Sequence, residues 1–207
     1  MPYRLVGMAM RWVAVGESAR WVLFRKRRAW QTRNMRIIVC VKQVPDGDSD
    51  RRFDGDRVVR GEDDVLNELD EFAVEAAVSL VEELGGEVIA LSMGPEDSEE
   101  AVLRALQMGA DRGVIVADEQ LEGADVVATA GVLAAAVSGV AADGPVDLVV
   151  TGMASLDGMT SMVPAALAAT LSWPLLDLAT ELEVLSPEAS PTFRVHRAAD
   201  GWHDVLE

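Results

Sequence analysis

From residue 35 onward the chain is punctuated by short runs of consecutive apolar residues, rich in β-branched side chains. They are Ile37-Ile38-Val39-Cys40-Val41, Val88-Ile89-Ala90-Leu91, Val114-Ile115-Val116 and residues 146–150. Runs that are apolar on both faces predict strands covered on both sides, as in a parallel sheet. The stretches between them change period. Leu69, Phe72, Ala73, Ala76, Ala77, Leu80, Val81 and Leu84 recur at the spacing of one helix face. Asn67 is a fitting N-cap for that helix, and Gly85-Gly86 end it. A second helix is predicted over residues 96–108, with Glu96, Asp97, Glu99 and Glu100 in its first turn, where the helix dipole favours acids. A third, rich in Ala and Val, covers 125–141, and a fourth covers 160–171. Strands alternating with helices predict an α/β fold: a parallel sheet with helices on both faces.

Two pieces leave this rhythm. Residues 46–64 are polar, with a hairpin signal at Asp54-Gly55-Asp56. After Pro174, Leu182-Glu183-Val184-Leu185 and Phe193-Arg194-Val195 read as short strands of a small β extension, and nothing after them reads as a finished element.

Charge divides the chain again. Its 207 residues carry a net charge of −17, yet residues 1–34 hold eight Lys/Arg against the single acid Glu17. Residues 35–207 hold 10 basic and 34 acidic groups. The organisation expected is therefore a basic extension over 1–34, outside the fold, and a domain over 35–207. Such an extension suits an anionic membrane surface or a transit peptide, or comes from a start codon placed too early. The acidity of the domain argues against nucleic acid as a partner. No stretch matches a transmembrane segment. One cysteine, Cys40, allows no internal disulfide, and with only His196 and His203 a metal site is not expected. A reducing, cytoplasmic setting fits.

In an open parallel sheet, ligands bind at the carboxyl ends of strands. The segment there with chemistry in it is Gly152-Met153-Ala154-Ser155-Leu156-Asp157-Gly158-Met159-Thr160-Ser161-Met162-Val163. Its glycines allow tight turning, and free N–H groups at a following helix start attract phosphate. Taken alone, the pattern favours an ordinary strand-to-helix turn capped by Asp157 or Thr160. No Walker lysine follows the glycines. Lys42 is the one lysine of the domain, placed to meet an anion or simply to be solvated at a strand end. Cys40 reads as a small buried hydrophobe. Neither a catalytic triad nor an acid pair is visible, so no catalytic residue is assigned.

Five blocks in order carry a family resemblance: residues 35–45, Asn67-Glu68-Leu69-Asp70-Glu71-Phe72-Ala73, Ala90-Leu91-Ser92-Met93-Gly94-Pro95, residues 105–112, and the loop from Gly152 to Val163 with Pro164 and Pro174 after it. Together they resemble the β subunit of electron transfer flavoprotein, the FixA family. The resemblance implies a Rossmann-like fold of the adenine nucleotide α-hydrolase type and an electron carrier, not an enzyme. It implies a heterodimer with an α subunit that holds most of an FAD. Such a heterodimer carries electrons from acyl-CoA and related dehydrogenases, as in fatty acid β-oxidation, to a quinone oxidoreductase and the quinone pool. A structural AMP in this subunit is implied too; electron-bifurcating relatives place a second FAD there.

Carried over by position, the nucleotide site comprises Cys40 through its backbone, Asn67 to Asp70, Ala90 and Met93 beside the adenine, and Gly152 to Val163 around the phosphate. Many members have Asp and Gln where this chain has Met159 and Met162, so the backbone of the loop is the part expected to serve. Members also continue past a segment like residues 197–207 into a further strand, a dehydrogenase-docking loop and a C-terminal arm. A truncated member is thus one expectation, and a non-functional fragment follows from it. Alternatives are a stand-alone, stress-type adenine-nucleotide module and an enzyme that cleaves ATP between its α and β phosphates. The last is disfavoured, since Lys42-Gln43-Val44-Pro45 stands where its Ser-Gly-rich loop belongs.

Overall fold

The computed structural model describes residues 11–15, 19–25, 35–50, 52–55, 57–60, 63–95, 98–186 and 191–207. The predicted strands form as β3 (Met35–Cys40), β8 (Gly86–Met93), β9 (Arg112–Ala117) and β10 (Leu148–Thr151). They pair in parallel in the order β9-β8-β3-β10. Burial explains the uninterrupted apolar runs. Ile37 and Val39 face one hydrophobic core, and Ile38, between them, faces the other. Helices α1 (Glu68–Leu84) and α2 (Glu99–Met108) close the first core, through residues such as Val74, Ala77 and Val102. Helices α3 (Val126–Ala141) and α4 (Val163–Leu171) close the second, through Leu133, Val137 and Leu167. The expected α/β fold with helices on both faces is thereby found.

The strand order contains one reversal. The chain runs from β3 outward to β8 and β9, then returns to the other side of β3 for β10. The carboxyl ends of β3 and β10 thus flank a topological switch point, where the loops leaving two neighbouring strands diverge.

Several elements differ from expectation for identifiable reasons. Two strands, β1 (Arg11–Val15) and β2 (Ala19–Arg25), pair antiparallel with each other, and β2 continues onto β9. Part of the basic segment expected outside the fold thus extends the sheet. Its Trp21-Val22-Leu23-Phe24 run has the composition of a strand, and β9 without it would offer an open edge. The rest of residues 1–34 lies outside the described residues. Helix α4 begins at Val163 rather than at residue 160, because Met159 and Ser161 adopt left-handed backbone with φ of 49° and 52°. The expected polar hairpin is β5 (Phe53–Asp54) with β6 (Arg57–Val58), turning at Gly55 with φ 62°. It lies between β4 (Gln43–Pro45) and β7 (Asp64–Leu66), which pair antiparallel and return the chain to α1.

At the chain's far end, β11 (Glu181–Ser186), β12 (Thr192–Ala199) and β13 (Trp202–Leu206) form an antiparallel sheet. Leu182, Val184 and Phe193 pack it against the first core. The third strand was not expected. Its signal is Asp200-Gly201, both residues at positive φ (50° and 81°), in the two-residue hairpin turn that links β12 to β13.

Opposite the switch point, the sheet is stapled by charge. Glu87 is buried and accepts from Arg36 Nε at 2.7 Å and from Arg112 at 3.4 Å. Arg36 also donates to the carbonyl oxygen of Gly144, and its backbone N–H donates to Asp147 at 2.9 Å. Replacing Glu87 with Ala removes the buried carboxylate shared by two largely buried guanidinium groups, leaving Arg36 its carbonyl partners and Arg112 the exposed Asp143. The expected loss is about 3–5 kcal/mol of unfolding free energy, read by urea denaturation, with a smaller loss for Glu87→Gln.

Candidate nucleotide site

The centre of the switch point is Asn67, fully buried, where β7 hands over to α1. As an N-cap its side chain was expected to accept from a backbone N–H of its own helix, but it makes no such bond. Its Nδ2 donates to the carbonyl oxygen of Ala154 at 2.9 Å, and its Oδ1 accepts from the Leu156 N–H at 3.0 Å. The amide thus reads both sides of the β10 loop, while its backbone N–H donates to Lys42 O at 2.9 Å. Buried backbone groups of a loop need such partners, and Asn supplies a donor and an acceptor at once.

Asp70, one turn on, completes the clamp. Its carboxylate accepts from the Lys42 N–H at 2.9 Å and from the Gly152 N–H, so it joins the loops after β3 and β10. The approach is close: a Cβ at Gly152 would lie 2.2 Å from Asp70 Oδ1 and 2.9 Å from the Leu69 backbone. Burial pushes the Asp70 carboxyl up to about 7, against the opposing hydrogen bonds from Asn67, Lys42 and Gly152. The Cys40 thiol at the end of β3 is pushed up to about 12, first by burial and then by the charge of Asp70. A raised pKa disfavours the reactive thiolate, although the residue is half-buried rather than the fully buried hydrophobe expected.

Above the clamp lies a charge cluster. Asp157, its side chain 3% exposed, accepts from Lys42 Nζ at 2.8 and 3.0 Å and pairs with the Arg60 guanidinium. Burial alone would raise this carboxyl, but the hydrogen bonds from Lys42 and Arg60 hold it well below the usual carboxylate range. Lys42 thus pairs with a side chain of the loop itself while remaining 42% exposed at the strand end. Past Asp157 the chain makes a tight turn, with Met159 N–H donating to Ser155 O at 2.8 Å. The left-handed Met159 and Ser161 then bring the backbone to the start of α4, which lacks a side-chain cap. Alternating backbone handedness before an uncapped helix start suits an anion.

The structure gathers most of the expected site residues. Cys40, Asn67, Leu69, Asp70 and Gly152 to Val163 meet around the two strand ends, and Met93, half-buried, ends β8 beside them. Glu68 is exposed in the first turn of α1. Ala90 is different: it is fully buried mid-strand in the first core, short of the strand end. Arg60 was missed by sequence reasoning. It comes from the aperiodic polar segment, where no motif distinguishes one arginine from its neighbours. A second unexpected grouping lies on the separate three-stranded sheet, where ligand atoms of Glu181, Glu183 and His196 come within 4.8 Å of one another. Arg194 shares Glu183 at 3.9 Å, the same separation as His196.

The model of the electron transfer flavoprotein domain matches residues 57–206, most of the chain. The chain belongs to the electron transfer flavoprotein family. It is 36% identical over 177 residues to the protein FixA of Azorhizobium caulinodans, covering 84% of this chain and 62% of that one. It is 39% identical over 160 residues to the electron transfer flavoprotein subunit beta of Mycobacterium leprae, covering 73% and 58% respectively. It is 35% identical over 177 residues to CarD, a subunit of the caffeyl-CoA reductase-Etf complex of Acetobacterium woodii, covering 84% and 64%. The chain thus spans about six-tenths of the length of these family members. Among the described residues no helix is long and apolar enough to cross a membrane.

The raised Asp70 carboxyl sets a pH dependence. Because the folded protein holds this proton more tightly than the unfolded chain, the group's contribution is fully present below about pH 4. It is lost as pH rises through about 7. Urea denaturation from pH 4 to 8 is expected to show wild type losing stability relative to Asp70→Asn, on the order of 4 kcal/mol across that window. A difference that stays constant with pH would contradict this assignment.

Proposed function

We propose that the chain acts as the β-type subunit of an electron transfer flavoprotein. In this reading it holds AMP at the switch point and pairs with an FAD-bearing α subunit. The heterodimer carries electrons from acyl-CoA and related dehydrogenases toward the quinone pool, in the cytoplasm. The observation that carries the reading is the coincidence of two results. The family match covers residues 57–206, and the loop the family resemblance assigns to a nucleotide is the one that Asn67 and Asp70 clamp at the switch point.

The residues present fit an adenine nucleotide. The loop offers backbone N–H groups and hydroxyls, Lys42 and Arg60 lie against its one buried acid, and Met93 is an apolar side chain suited to an adenine ring. AMP would serve there as a structural wedge between the loops after β3 and β10, with no bond made or broken on it. Flavin supplies the redox chemistry when bound by the partner, while this chain orients and supports. The names of the relatives, two of which describe subunits, support an assembly with other chains.

The test is to co-express the chain with an electron transfer flavoprotein α subunit from the same source, purify the complex, and identify the nucleotides released on denaturation. A yellow complex releasing one FAD and one AMP is the expected result. Two FAD and no AMP would move the chain to the bifurcating type. A colourless chain that binds no α subunit and releases no nucleotide would overturn the proposal.

A further inference from the structure

The polar segment between β4 and β7 has a consequence for ligand choice. It leaves the end of β3, makes the β5–β6 hairpin, and returns to α1 through Asp64–Leu66. On the way it lays Arg60 against Asp157, a carboxylate that Lys42 already neutralises. Lys42 and Asp157 form a balanced pair, held by two contacts at 2.8 and 3.0 Å. Asp70 also interacts with Lys42, but burial raises its carboxyl to about 7 and so reduces its charge, which leaves Arg60 as the second cation of the cluster. In a domain with 34 acids and 10 bases, an approaching anion meets a repulsive field, and a local surplus has to offset it.

The guanidinium is suited to this. Its Nη2 pairs with Asp157, and the side chain is 40% exposed. Its planar fork can keep one edge on Asp157 while the other edge meets a phosphate in two parallel hydrogen bonds. The neighbouring loop, from Gly158 to Val163, carries the left-handed Met159 and Ser161 and the uncapped start of α4, both suited to the same anion. We infer that Arg60 is a phosphate-binding side chain delivered by the hairpin segment. It makes the site select the phosphate of an adenine nucleotide over the bare nucleoside. This rests on the nucleotide reading given above. The phosphate can be that of AMP or the pyrophosphate of a second FAD, and the two are separated by direct titration.

The experiment titrates the full chain, with its α subunit where the two purify together, with AMP, FAD and adenosine by calorimetry after removal of bound nucleotide. Wild type is expected to bind AMP or FAD well and adenosine much more weakly. Arg60→Ala should weaken the phosphate-bearing ligand about tenfold or more while leaving adenosine within about twofold. Arg60→Lys, which keeps the charge and loses the fork, should fall between them. Folding is checked by thermal unfolding of each variant. Unchanged AMP and FAD affinity in Arg60→Ala, or an equal fall for adenosine, overturns the role of Arg60 alone. Wild type that binds none of the three overturns the nucleotide reading and this inference together.

Discussion

The buried amide of Asn67 is the contact on which the arrangement of the switch point depends. Two loops leave the ends of β3 and β10, and in a parallel sheet their backbone groups lose strand partners at that point. Asn67 meets both sides of one loop through its side chain and the other through its backbone N–H. An apolar residue of the same size would leave Ala154 O and Leu156 N–H without these partners, at a cost of about 1–3 kcal/mol each. This explains why the side chain leaves its helix uncapped. The α1 start has acids at Glu68, Asp70 and Glu71 to complement its dipole, whereas the loop has no substitute for the amide.

Asp70 extends the same logic at greater electrostatic cost. A carboxylate in that position is desolvated, and its hydrogen bonds to two backbone N–H groups do not fully offset the burial. What the arrangement achieves is proximity: Gly152 approaches so closely that no side chain fits there. The two strand ends are drawn together beneath the Lys42–Asp157 pair, so the clamp and the charge cluster form consecutive layers. Disturbing the lower layer is therefore felt in the upper one through Gly152 and Leu156, which lie on the loop that carries Asp157.

The legibility of the chain follows from where the information sits. The strands could be read because burial on both faces writes an uninterrupted apolar run, as in Ile37 to Val41. Helix α1 could be read because its buried face repeats along 17 residues. The start of α4 could not, because Met159 and Ser161 take a backbone conformation that side chains of their type rarely adopt. The β13 strand was hidden by polar residues on an exposed sheet, although Asp200-Gly201 marks its turn. At the site, local pattern favoured an ordinary turn for the Gly152–Val163 loop, and only the family blocks pointed to a nucleotide there. Lys42 and Asp157 meet across 115 positions of sequence, and Arg60 and Asp157 across 97. No spacing rule reaches that far; only the order of strands in the folded sheet brings these residues together.

Electrostatics gives the last step. A chain of net charge −17 is poorly suited to attract an anion from a distance, so any anion site in it has to be made locally. Screening confines the repulsion from distant acids to about 10 Å at ordinary ionic strength, which leaves the nearest charges to decide. Here the nearest acid, Asp157, is enclosed and doubly paired, so its charge is already answered before a ligand arrives. What remains facing outward is one excess cation, a loop with left-handed turns, and an uncapped helix start. Burying the acid and leaving the arginine half-exposed turns the sign of one small region against that of the whole domain. A single carboxylate thus has two uses in the loop: it anchors Lys42, and it positions an arginine whose side chain remains 40% exposed.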